Sequence, residues 1–193
     1  MQSRQGISLP QFARLISLPV LFAGCHRASV PAPSPEILEA VAACPAPSID
    51  TRGWQIVVDS TGVRYRLPAE FVERPSSSPS WRRWDLAGDF QQSVEIGVIE
   101  SPDYWISLRR APSPGMHEMS ECIDSIPGRQ VLVQAWRMEG GAFRRGRRLD
   151  KYEVFALTPM EPGRTVLLTG GGSDRQTQAL LLAIVRTIRV PSP

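Results

Sequence analysis

The sequence predicts one α+β domain, a largely antiparallel β-sheet packed by a C-terminal helix and one or two shorter helices. Short runs alternating apolar and polar residues recur from Gly53 onward, with Gly and Pro between them. The last long segment instead repeats its apolar residues at helical spacing. The chain has 193 residues, 42% of them hydrophobic and 21% charged. That is too apolar for a wholly disordered protein, and long enough for one sizeable core but hardly for two. A β-sandwich or partial barrel is the alternative built from the same strands.

Trp54, Ile56 and Val58 alternate with Gln55 and Val57, and Ser60-Thr61-Gly62 then turns the chain. Val63, Tyr65 and Leu67 alternate with Arg64 and Arg66, which predicts a β-hairpin over 54–67. Residues 68–80 read as a polar loop containing Phe71 and Val72. Strands are expected at 81–86 and 93–100, with loop signals at Ser101-Pro102 and from Ala111 to Gly115. Met119, Cys122 and Ile123 fall at i, i+3, i+4 and predict a helix over 116–125. Strands follow at 129–138, 150–157 and 164–169, with Gly140-Gly141 after the first and Gly170-Gly171-Gly172 read as a turn after the last. In the closing helix Ser173 is the expected cap and Gln176 completes a capping box. Leu181, Ile184, Val185 and Ile188 share its apolar face, and it ends before Val190-Pro191.

Residues 1–24 read as an address rather than as part of the fold. Arg4 and Arg14 precede any acidic residue, the first of which is Glu36. The apolar run from Leu15 to Gly24 has the length of a signal-peptide core and is too short to span a bilayer. The stretch Leu21-Phe22-Ala23-Gly24-Cys25 resembles the lipobox of bacterial lipoprotein precursors, departing from it at Phe22, where an aliphatic residue is usual. The resemblance implies a lipid-modified Cys25 and anchoring in the cell envelope. His26 after it, in place of aspartate, implies the outer membrane facing the periplasm. The alternative is an ordinary secretory signal and a soluble periplasmic or secreted protein. Several acyl chains at ~0.8 kcal/mol per CH₂ suffice for stable anchoring. Residues 25–53 then read as the lipidated cysteine and a Pro/Ala-rich tether, with a short helix near 34–43, and 54–190 as the domain. With Cys25 carrying lipid, Cys44 and Cys122 remain in an oxidising compartment, where a disulfide between them is the expectation. Such a bridge contributes roughly 4 kcal/mol at most.

The domain is similar to the PsbP-like superfamily of small α/β/α sandwiches. The resemblance rests on the hairpin from Gly53-Trp54 to Leu67-Pro68 and the passage from Cys122-Ile123 through Ile126-Pro127-Gly128 into 131–138. The strand, Gly-rich turn and helix from Thr165 to Val190 also match. It implies a non-enzymatic binding domain and carries no catalytic residues.

The formal charge is +3, and without Arg4 and Arg14 it falls to nearly zero. Positive charge is then a local feature of Arg144, Arg145, Arg147 and Arg148, placed at the tip of a hairpin. There it suits phosphate-rich headgroups or an acidic envelope polymer; the alternative is a solvated loop. Nucleic acid is not an expected partner. Gly170, Gly171, Gly172 and Ser173 join a strand to a helix, where backbone N–H groups can cradle an anion. They lack the Lys-Ser/Thr of a P-loop, and Asp174 opposes an anion, so a plain turn is the alternative. His117-Glu118-Met119-Ser120-Glu121 lacks a second histidine, and the other histidine is His26, so no metal is expected. No G-x-S-x-G elbow is present, and carboxylates such as Asp85/Asp89 or Glu95/Glu100 have nothing to fix their geometry. Trp81-Arg82-Arg83-Trp84 and Tyr104-Trp105 are conspicuous aromatics. No catalytic residue and no cofactor is assigned.

The expected function is a lipid-anchored envelope domain, non-catalytic, which binds a protein partner or supports an assembly. The alternative is a small-ligand or anion receptor with a cleft near 170–174 and the 144–148 loop, and the third reading is a small hydrolase. A concave site favours the ligand class, and a flat exposed aromatic or arginine patch the partner class.

Overall fold

A computed structural model describes residues 42–46, 48–76, 78, 80–100, 114–127, 129–144, 146–161 and 163–191. Cys25, the residue 34–41 part of the short tether helix, Tyr104-Trp105 and Arg145 lie outside the described residues. Among the described residues, nine strands precede one helix. They are β1 (Gln55–Val58), β2 (Arg64–Leu67), β3 (Phe71–Arg74), β4 (Trp81–Leu86), β5 (Asp89–Ile99), β6 (Met116–Ile126), β7 (Arg129–Arg144), β8 (Arg147–Glu161) and β9 (Arg164–Gly172). The helix α1 spans Gln176–Thr187. Strands β1 and β2 form a separate antiparallel hairpin, and the other seven form one antiparallel sheet ordered β3-β4-β5-β9-β8-β7-β6. This is α+β in a single domain, with no closed barrel.

The hairpin and α1 cover one face of the sheet. Val63, Tyr65 and Leu67 point inward from the hairpin and join Leu181, Ile184, Val185 and Ile188 of α1. They meet Val94, Ile96, Val131, Val133, Val154, Ala156, Val166 and Leu168 of the sheet. A second cluster of Ile99, Leu132, Trp136, Phe155, Leu157 and Leu167 occupies the opposite face. The inner strands are therefore buried on both sides, which is why Val166-Leu167-Leu168 is apolar without alternation.

Four expectations are corrected. Residues 116–125 are strand β6, not a helix. Cys122 packs with the helix-side cluster while its neighbour Ile123 packs with the cluster on the other face, a use of adjacent residues that only a strand permits. The register sets Ile126 opposite Arg129. At the exposed end of this edge a bulge between His117 and Ser120 holds Glu118 at φ 51°, interrupting the edge regularity on which another strand would template. The loop over 68–80 contains β3, whose Phe71 is buried. Among the described residues α1 is the one helix, so the shorter helix expected at 116–125 is not found there.

Gly170–Gly172 are the third correction. They are not a turn but the end of β9, paired with β5 on one side and β8 on the other. Glycine is needed because α1 crosses here: a Cβ on Gly170 would lie 2.7 Å from Leu181 Cδ2 and from the Ser93 carbonyl oxygen, and one on Gly172 2.5 Å from Thr177 Oγ1. Ser173 does not cap the helix either. Asp174 Oδ1 accepts from the Thr177 amide at 3.0 Å and from its hydroxyl at 3.3 Å. Aspartate suits the positive end of the helix.

Candidate functional site: an arginine-lined cleft

The chain joins the sheet at residue 42. Ala43 forms a parallel bridge with Ile123, through Cys44 N–H to the Ile123 carbonyl at 2.9 Å and Ile123 N–H to the Ala42 carbonyl at 2.8 Å. Cys44 and Cys122 are disulfide-bonded across a sequence separation of 78. From there the chain runs past the C-terminal half of α1 to the hairpin. The turn into β2 is tied by Asp59, whose Oδ1 accepts from the Thr61 and Val63 amides at 2.8 and 3.0 Å.

Between these pieces lies a cleft of about 600 Å³. Strand β2 alternates, so Tyr65 and Leu67 enter the core while Arg64 and Arg66 remain on the outer side. Pairing with β1 sets Ile56 opposite Arg66 and Val58 opposite Arg64. The end of α1 is hydrogen-bonded to the other edge of β2, through reciprocal Arg64 and Arg189 backbone bonds of 2.8 and 2.7 Å and through the Arg66 amide, which donates to Thr187 Oγ1 at 2.8 Å. The cleft is thus lined by Arg64, Arg66, Arg186 and Arg189, with Ile49, Ile56 and Ala183 as apolar surface and Thr51 and Thr187 as hydroxyls.

The electrostatics of this cleft are unbalanced. Arg186 Nε pairs with Asp124 Oδ2 at 2.6 Å and its Nη2 donates to the Pro45 carbonyl. Among the described residues no carboxylate is within ion-pair distance of Arg64, Arg66 or Arg189; the Arg66 guanidinium donates to the Thr51 carbonyl at 3.4 Å, and that of Arg189 to the Arg186 and Ile188 carbonyls. The one acid in the lining, Asp50, is tied to Arg52 at 2.7 Å, and the Arg52 side chain holds its carboxyl below the usual carboxylate range. Three guanidinium charges therefore face one recess without a counter-charge.

Two other polar groupings are balanced. A second, more open groove of about 810 Å³ is lined by Ser60, Glu73, Arg74, Ser76, Trp81 and Arg82, among others. There Arg82 pairs with Glu73 at 2.7 Å and Arg74 approaches Asp85 at 3.8 Å. On the sheet face away from α1, Arg83 reaches both Asp85 at 3.0 Å and Glu95 at 3.2 Å, and Lys151 pairs with Glu153 at 2.6 Å, which also accepts from Trp136 Nε1. Arg83 thus draws Asp85 toward Glu95, a grouping different from the carboxylate pairs named from sequence.

The residues singled out from sequence are scattered. Arg147 and Arg148 are exposed at the start of β8, next to the β7–β8 turn, with Arg144 opposite Arg147 in the register. Gly170–Gly172 lie in β9, beneath the other end of α1 from the cleft, with their backbone committed to the ladder. His117 is exposed, with Nε2 3.2 Å from Glu139 Oε2, and no group of three His, Cys, Asp or Glu suited to a metal occurs among the described residues. Trp84 is buried against Tyr65, ring centroids 5.3 Å apart and edge to face, with the Arg82 guanidinium 5.0 Å from its ring. Arg64, Arg66, Arg186 and Arg189 were missed. Their available signal was two arginines at period 2 on a hairpin and two at i, i+3 on a helix end.

No protein-family model and no curated protein matches the chain. A crystal structure from Bacteroides thetaiotaomicron VPI-5482 is similar at a TM-score of 0.49 and 6% identity, over 72% of this chain and 49% of that one. The match spans about half the length of that protein.

Proposed function

We propose that this protein is a lipid-anchored, non-catalytic binding domain of the bacterial cell envelope, whose ligand is an anion held in the arginine-lined cleft. The observation that carries the reading is the set of three guanidiniums, Arg64, Arg66 and Arg189, facing one recess without carboxylate partners. Like charges gathered without compensation repel one another, and a bound anion relieves that repulsion. Guanidinium is a fixed cation with a fork of donors, suited to holding carboxylate or phosphate and not to moving protons at neutral pH. A recess of this volume falls within the range of small-ligand sites, which favours a ligand over a flat partner surface.

The envelope location rests on the lipobox-like Leu21–Cys25, and the PsbP-like relationship on the leading hairpin, antiparallel sheet and closing helix. Exposed Arg147 and Arg148 favour a second contact, with a partner or with headgroups, at the tip of the β7–β8 hairpin.

The test uses the full chain carrying Cys25→Ala, melted with a panel of mono- and dicarboxylates, phosphate esters and sulfate esters. At least one anion class raises the Tm, and Arg64→Ala/Arg66→Ala abolishes the rise. A Tm indifferent to the whole panel refutes the cleft as an anion site. Fatty-acid labelling tests the anchor separately: label retained in Cys25→Ala refutes lipidation at that residue.

A further inference from the structure

Resting on the reading of the cleft as an anion site, we infer that its ligand is a phosphate monoester with an apolar substituent. The phosphoryl group sits on Arg64, Arg66 and Arg189, and the substituent lies over Ile49, Ile56 and Ala183. Two features select this chemistry.

The first is the charge count. Three uncompensated guanidiniums line the recess, and a single carboxylate or sulfate ester supplies only one negative charge against them. A phosphate monoester carries about −1.5 to −2 at pH 7, with three acceptor oxygens for guanidinium donors. The second is the apolar surface beside the charge. Ile56 is 57% exposed and Val58 53%, and they stand on the outer side of the hairpin directly opposite Arg66 and Arg64. Exposed aliphatics in register with unpaired cations form an amphiphilic strip. The cleft volume of about 600 Å³ also leaves room for an organic group beyond a phosphate.

The same chemistry has two sources, a soluble phosphate ester and the phosphate of a membrane lipid. The experiment separates them. Calorimetric titration of the full chain with Cys25→Ala uses hexyl phosphate, inorganic phosphate, hexyl sulfate and succinate. Co-sedimentation uses phosphatidylcholine vesicles with and without phosphatidic acid. Expected is tighter binding of hexyl phosphate than of inorganic phosphate or hexyl sulfate at neutral pH. Its advantage over the sulfate shrinks as pH falls through about 6, because the phosphate monoester takes up a proton there and arginine does not titrate. Arg64→Ala/Arg66→Ala weakens hexyl phosphate about tenfold or more, equivalent to ~1.4 kcal/mol. Ile56→Asp, which leaves the arginines in place at an exposed position, weakens it too, whereas Arg147→Ala/Arg148→Ala leaves it unchanged.

Binding of phosphatidic acid vesicles through the same arginines, without hexyl phosphate binding, assigns the phosphate to a lipid surface; the converse assigns it to a soluble ester. Binding of succinate or hexyl sulfate as tight as hexyl phosphate overturns the phosphate assignment and leaves the anion site standing. No binding of any probe overturns both. Loss of binding in Arg147→Ala/Arg148→Ala as large as in the cleft variant also overturns both, since the attraction is then one of general charge.

Discussion

Gly170→Ala tests whether the glycine run at the end of β9 serves packing or ligand binding. A Cβ there meets two atoms at 2.7 Å, the Leu181 Cδ2 of α1 and the carbonyl oxygen of Ser93. The Leu181 methyl can rotate away. The Ser93 carbonyl cannot, because β5 is held in register with β9, Ser93 opposite Gly171 and Val94 opposite Gly170. Overpacking of this kind costs about 1–3 kcal/mol. Replacing glycine restricts the unfolded chain and returns ~0.4–1 kcal/mol. The net loss is roughly 1–2 kcal/mol, a Tm lower by about 2–8 °C for a domain of this size. Thermal and urea denaturation of the full chain carrying Cys25→Ala measure it. Adding Leu181→Ala removes one of the two clashes, so the double variant is less destabilised than the sum of the singles by about 0.5–1 kcal/mol. A Tm at or above that of the parent, or strict additivity with Leu181→Ala, refutes the packing role. If Gly170→Ala instead abolished anion binding at an unchanged Tm, the Gly-rich segment would be the anion cradle after all.

Three further outcomes follow from particular contacts. Tyr65 Oη is buried without a hydrogen-bond partner among the described residues, and burial pushes its phenol well above the usual tyrosine range. Tyr65→Phe keeps the edge-to-face contact with Trp84, so urea denaturation finds it within about 0.5 kcal/mol of the parent or more stable; a larger loss means the hydroxyl has a partner. The Arg82 side chain holds Glu73 below its usual carboxylate range. A lowered folded-state value gives stability that is present above the unfolded value of about 4.3 and lost as pH falls through the folded value. With the Glu73 side chain 50% exposed, that contribution is at most about 0.5 kcal/mol, and the acid limb of urea midpoint against pH is shallower in Glu73→Gln. Identical limbs remove the pair from the account. Cys44→Ser/Cys122→Ser lowers stability by about 2–4 kcal/mol. It also weakens anion binding, because Arg186 is held by the Pro45 carbonyl and by Asp124, each close to a bridged cysteine. Anion affinity unchanged after loss of the bridge would separate the disulfide from the cleft.

Much of the sheet and the helix was legible because local pattern and tertiary role agree there. In the hairpin, alternation places Tyr65 and Leu67 inward and Arg64 and Arg66 outward, as the sequence reads. In α1, Leu181, Ile184 and Val185 form the buried face at the expected spacing. Where a residue answers to a partner distant in sequence, the pattern misleads. Cys122 and Ile123 look like part of a helical stripe, but each belongs to a different face of the sheet, and the pairing with β7 and the parallel contact with Ala43 decide the conformation. Gly170–Gly172 look like a turn because glycine marks turns in sequence. Here its small size admits Leu181 and Thr177 of the crossing helix.

The cleft is illegible for a related reason. Arginine supplies nearly all the basic charge of the chain, so no single arginine stands out, and the densest run, 144–148, draws attention to a hairpin tip. What distinguishes Arg64, Arg66 and Arg189 is that they line one recess together with no carboxylate within ion-pair distance, and that depends on which elements fold together. Arg82, also in this part of the chain, is matched by Glu73 from the neighbouring strand, and Arg186 by Asp124 from β6. The hairpin's outer face and the end of α1 meet with no acid positioned to answer the other three. Charge compensation is thus a property of the folded arrangement, and its failure at one recess, in a chain whose charge is nearly balanced beyond residue 24, is what marks the site.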